Sequence, residues 1–167
     1  MQVHGIIHSF PKEIKALIAV FLVILSIGFY SGLTFVNETT ASNPQGIESH
    51  YNGNEADENV TVMQFKKSKR EILTLVHNHI LSLSIIFFIL SLILSTTSIN
   101  KNIKCFLMFE PFLSVLLTFG GIYLLWLDIN WMKYVIMISG MLMTLSFTIS
   151  VFIITFELLK NTRKNTI

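Results

Sequence analysis

The fold class that the sequence predicts is an all-α integral membrane protein, a four-transmembrane-helix bundle with one larger extracytoplasmic loop. Three observations predict it. Residues 16–37, 72–100 and 134–156 contain no Asp, Glu, Lys or Arg, and 105–127 contains one, Glu110. Each run reaches the roughly 20 apolar residues that cross a bilayer core. Only 13% of the 167 residues are charged while 52% are hydrophobic, whereas a soluble domain carries about 25% charge. Mean hydropathy is +0.64. A water-soluble globular enzyme is excluded on these grounds. The single cysteine, Cys105, excludes an internal disulfide framework and a multi-cysteine zinc site.

The spans are expected at about 14–36, 69–97, 104–127 and 132–158, in one membrane domain covering 1–167, with a polar loop at 38–68. The first span follows Lys12 and Lys15, which resembles the charged start of a signal peptide. Its apolar stretch is too long for that and reads as a retained anchor. The loop is acidic at first (Glu38, Glu48, Glu55, Asp57, Glu58), and Pro44, Gly46 and Asn52-Gly53 make it an irregular connection. Lys66, Lys67, Lys69 and Arg70 then reverse the charge. This segment is expected to lie along anionic lipid headgroups, with Val60, Met63 and Phe65 dipping in. Ser68 and Glu71 form a capping-box pattern at the start of the second span. Short links at 100–104 and 128–133 make the last three spans antiparallel neighbours.

Orientation follows the basic residues. With both termini cytoplasmic, the inner side holds Lys12, Lys15, Lys101, Lys104, Lys160, Arg163 and Lys164, and the outer side Lys66, Lys67, Lys69, Arg70 and Lys133. Tyr30, Tyr123, Trp126, Trp131 and Tyr134 then map to one interfacial belt on the outer face. Sequons stand at Asn37-Glu-Thr39 and Asn59-Val-Thr61, yet the loop lacks the paired cysteines of eukaryotic four-span proteins. A bacterial inner membrane is the better expectation.

Polar side chains inside the spans are the candidates for function. His77 and His79 lie about 200° apart on a helix, so they cannot share one metal. His77 shares a face with Thr74, Ser84, Ser91 and Ser95, and His79 one with Leu75, Leu83, Ile86 and Leu90. Polar stripes normally face the interior of a bundle, so His77 is expected to point inward. Depth counting puts Tyr30, Gly32, Gly120, Gly121, Met137, Ser139, Gly140 and Met141 near the His77 layer. One reading is tight packing with a hydrogen-bonded histidine. Another is a haem b cavity, with His77 as one axial ligand and His79, Met137 or Met141 as the second. A third is a quinone pocket using His77 and Tyr30. Glu110, Ser114, Thr118 and Gly121 form a further stripe, with Pro111 beside the acid. Glu110 either ends a proton route through Ser84, Ser91, Ser114 and Thr118 or is a buried carboxyl bonded across helices. Glu157 reads as interfacial near Lys160 and Arg163, and His4 and His8 as exposed or interfacial. Glu48, His50, Glu55, Asp57 and Glu58 match no metal spacing. Catalytic patterns are absent from the sequence: no Gly-rich phosphate loop, GxSxG, HExxH or CxxC.

His77-Asn78-His79 followed by ILSLSIIFFIL, with the words GIESHYNGNE, FKKSKREILTLVHNHI and EPFLSVLLTFGGIYLLW, resembles small uncharacterised bacterial inner-membrane proteins. These carry a His-x-His pair where the second span begins. Some membrane proteins with a similar pair handle haem or serve respiration, and the resemblance implies a haem for this chain on that account. Three readings follow, with a non-enzymatic role favoured over an enzymatic one and no use of nucleic acid. The first is an accessory or cofactor-binding component near the respiratory chain. The second is a scaffold or assembly partner in a homo-oligomer or membrane complex. The third is a small proton-coupled transporter using His77 and Glu110.

Overall fold

A computed structural model describes residues 5–55 and 62–160. The described residues form five α-helices and one 3-10 turn, Ile6–Ser9, without a β-strand. Four helices are long and apolar enough to span a membrane: α1 (Lys12–Thr40), α3 (Lys69–Ser95), α4 (Lys101–Trp126) and α5 (Met132–Leu159). His4, Asp57, Glu58, the sequon at Asn59, Val60, Arg163 and Lys164 lie outside the described residues.

Local chemistry sets the element ends. α1 begins behind Pro11 and stops at Ala41, whose φ of 49° is left-handed and breaks the helical run. The expected irregular loop is instead partly helical. α2 (Pro44–Asn52) starts where the Asn43 side chain accepts from the Gly46 N–H at 2.7 Å and Pro44 fills the first helical position. A Cβ on Gly46 would stand 1.9 Å from the Thr40 carbonyl oxygen, so glycine is what lets α2 fold back onto the end of α1. α3 starts behind a complete capping box between Ser68 and Glu71.

α4 lies between α3 and α5, and α1 rests mainly on α2 and α5. The α4–α5 register is read from Thr118, bonded to Ser139 at 2.7 Å, and from Gly121, where a Cβ would meet Ile136 at 2.9 Å. Ser91 of α3 donates to the Met108 carbonyl of α4 at 3.2 Å. The rings of Phe29 and Phe147 stack at 3.9 Å, and Phe87 meets both edge-on, locking α1, α3 and α5 together.

The chain closes both ends of its own bundle. At one end α2 is tied down. Asn52 donates to the Leu125 carbonyl at 2.8 Å and Lys133 pairs with Glu48 at 2.5 Å. Trp126 donates its indole N–H to the Lys67 carbonyl at 2.8 Å, and the Lys67 N–H reaches Tyr51 at 3.1 Å. At the other end the 3-10 turn inserts Ile7, which is 0% exposed. There the Gly5 and Ile7 N–H groups satisfy the carbonyls of Thr97 and Thr96, orphans of the α3 C-terminus. The described residues nearest each terminus therefore share one end of the bundle.

Candidate functional site

The best-defined polar site inside the membrane is the seam between α4 and α5. On α4, Glu110, Ser114, Thr118 and Gly121 recur at helical spacing and all are buried. On α5, Ser139, Ser146 and Ser150 are buried on one stripe. Thr118 meets Ser139, and continuing that antiparallel register brings Glu110 level with Phe147, between Ser146 and Ser150. Ser114 donates its hydroxyl to Glu110 Oε1, while Glu110 Oε2 is buried with no hydrogen-bond partner among the described residues. Ser84 is half-buried on α3, and Ser91 is turned to the Met108 carbonyl on another side of α4. The structure thus joins Glu110 to Ser114 and aligns both with Thr118, while Ser84 stays apart.

The His77 layer is rearranged from its expected form. His77 and His79 are both exposed on α3, and His79 is the one whose ring reaches α4. It stacks on Phe119 at 4.7 Å and bonds the Leu75 carbonyl at 2.8 Å. Residues three and four apart track the contact face, and seven-residue steps slip about 20° each. From Ser91, which is buried, two such steps back carry His77 out of the contact. Tyr30 donates to or accepts from Thr148 at 2.9 Å, and its neighbour Phe29 meets Phe87, roughly 15 Å further along α3 than His77. Tyr30 therefore leaves both the His77 layer and the interfacial belt. Met137 is half-buried and Met141 exposed. The residues named for a haem or quinone do not converge on one cavity. Among the described residues, no group of three or more His, Cys, Asp or Glu side chains is placed to hold a metal ion.

A second polar cluster stands at the terminal end, where the sequence pointed only to interfacial residues. Glu157 is buried; its carboxylate accepts from the Ser98 N–H at 3.1 Å and the Ser98 hydroxyl at 2.6 Å, and pairs with His8 Nε2 at 2.9 Å. Ser98 also touches His8 Nε2, at 3.2 Å. Serine and acid meet the same ring nitrogen, so this is a structural knot and not a nucleophile–base–acid relay. Lys104 closes the group by donating to the carbonyls of Ser95 and Thr97. Positions 8, 98, 104 and 157 share no sequence pattern, and only the fold collects them.

At the α2 end, burial and then Lys67 hold the His50 imidazole below its ordinary value of 6.5. Burial pushes the Tyr51 phenol up to about 12. Of the basic cluster, Lys66 is taken up by Asp128 at 2.8 Å and by the Trp126 ring at 5.6 Å. Lys69 and Arg70 are exposed. Beside them Val62, Met63 and Phe65 are 67%, 59% and 69% exposed. The backbone of this segment is fixed by Asn54, which bonds Gln64 and Val62.

No curated protein and no solved structure matches the chain. Residues 41–165, from the start of the α2 cap through the last three spans, match the family of a transmembrane helical domain. The chain belongs to this family of transmembrane helical domains.

Proposed function

We propose that the protein is a non-enzymatic accessory of the membrane, a packed four-span scaffold whose α2 end is seated on anionic lipid headgroups. The observation that carries this reading is the segment 62–70. Three large apolar side chains stand exposed beside Lys69 and Arg70, on a backbone held rigid against α2 and Trp126. Apolar residues entering the acyl boundary next to cations that meet phosphates is the chemistry of an interfacial anchor. The haem and quinone readings draw on residues that lie on separate surfaces, and a respiratory placement depends on them. A bacterial inner membrane with the terminal end in the cytoplasm agrees with Lys12 and Lys15 in the first turn of α1. A scaffold of this kind works within a homo-oligomer or a larger membrane complex.

The test uses the full chain in vesicles containing brominated phosphatidylglycerol or brominated phosphatidylcholine. Both tryptophans, Trp126 and Trp131, sit near the α2 end and report contact by fluorescence quenching. Phosphatidylglycerol should quench more strongly at low salt. The double substitution Lys69→Ala, Arg70→Ala should weaken that preference by about 2 kcal/mol, at about 1 kcal/mol per basic residue. Equal quenching by the two lipids, or a preference unchanged in the double variant, overturns the reading.

A further inference from the structure

We propose that Glu110 is an exchangeable proton-binding group in the interior of the membrane, served by the hydroxyls of the α4–α5 seam. The carboxyl is 9% exposed, and it lies roughly 14 Å along α4 from Lys101. One oxygen accepts from Ser114, and the other is buried without a partner among the described residues. A carboxylate has about four lone-pair sites to satisfy, and a single hydroxyl leaves most of them bare in a medium without water. Taking up a proton removes the charge and turns Oε2 into a donor. At that level α5 offers Ser146 and Ser150, both buried, as acceptors for the new O–H.

No fixed charge faces the group from its surroundings. By register the α5 residues are Ser146, Phe147 and Ser150, and the α3 residues are Phe87, Leu90 and Ser91. α1 has no Asp, Glu, Lys or Arg between Lys15 and Glu38. The next ionisable groups are Tyr30 of α1, bonded to Thr148 and edge-on to Phe147, the exposed Cys105 of α4, His79 of α3, stacked on Phe119, and the knot of Glu157, His8 and Lys104 at the terminal end. Each is more than a hydrogen-bond length away, so a proton reaches Glu110 through hydroxyls or water and not from a direct partner. Pro111, next in sequence, lacks the N–H that would hold the Leu107 carbonyl, which loosens α4 on the terminal side of the acid. The inference is independent of the lipid reading and fails separately from it.

The experiment treats the full-length protein in vesicles with a hydrophobic carbodiimide, which reacts with protonated carboxyls in apolar sites, and maps the label by peptide mass spectrometry. Glu110 should be labelled, and the label should be lost as the buffer is made more basic. A water-soluble carbodiimide should leave it untouched while modifying the exposed Glu13 and Glu38. Absence of label at Glu110, labelling independent of pH, or protection by sodium ions overturns the proposal. The parent protein alone decides the first two outcomes, whether or not Glu110→Gln folds.

Discussion

Glycines at four positions meet three kinds of surroundings, and their replacement separates backbone constraint from helix propensity. A Cβ on Gly46 would collide with the Thr40 backbone at 1.9 Å, and backbone cannot swing aside. Gly46→Ala should therefore lower the detergent melting temperature, at a cost near the upper end of the 1–3 kcal/mol typical of overpacking. Gly121→Ala meets only the Ile136 side chain, at 2.9 Å, and should cost about 1 kcal/mol or less. Gly28 and Gly32 have open space around them, so alanine there should be neutral or stabilising by a few tenths to about 1 kcal/mol. Circular-dichroism melting of the four variants checks the order. Equal melting of Gly46→Ala and Gly28→Ala would show that α2 does not press on the end of α1.

At the scale of elements, α2 carries a histidine that makes its stability respond to pH. His50 lies in α2, and burial followed by Lys67 lowers its affinity for a proton below that of the unfolded chain, whose value is 6.5. Between the folded value and 6.5 the unfolded segment binds more protons, so the cap loses stability as pH falls through that window and keeps it above. Hydrogen exchange in residues 44–52, corrected for intrinsic rate, should rise as the buffer is taken from neutral to mildly acid. His50→Gln should flatten that dependence. An unchanged pH profile in His50→Gln would assign the effect to another group. Element choice at this end was partly legible in the sequence. The Ser68–Glu71 box is a local pattern and is present as read, while α2 was hidden by the same Pro and Gly residues that mark turns. Pro44 opens the helix instead of preventing it, because a first helical position has no hydrogen bond to lose.

For the whole molecule, one side-chain knot joins three separate elements at the terminal end. Glu157 holds the Ser98 backbone, the Ser98 hydroxyl and His8, and so ties α5, the α3–α4 turn and the N-terminal segment. Glu157→Ala removes the acceptor shared by the half-buried His8 and the exposed Ser98, a loss of about 0.5–1.5 kcal/mol for each hydrogen bond. Limited proteolysis should then cut near residues 5–10 at a rate at least tenfold above the parent, because Ile7 is no longer retained in its seat. Glu157→Gln keeps most of the acceptor and should be intermediate. A cleavage rate unchanged in Glu157→Ala would mean that Ile7 burial and the bonds of the Gly5 and Ile7 N–H groups to Thr97 and Thr96 secure this end.

What the sequence by itself determined is the set of four spans and the polar class of their residues. Hydrocarbon imposes its requirement locally: about 20 residues without charge must form a helix whatever surrounds them. The α4 stripe of Glu110, Ser114 and Thr118 was legible for a related reason, since close helical spacing keeps short steps on one face. Only the tertiary structure decided which faces meet. Lipid tails are as apolar as leucine, so no hydrophobic force sorts His79 from His77 by sequence alone; shape and ring stacking did, with Phe119 taking His79. The same holds for Tyr30 against Thr148 and for the joining of His8, Ser98 and Glu157. These contacts join positions 59 or more apart in the sequence, and only close packing between helices brings such distant positions together.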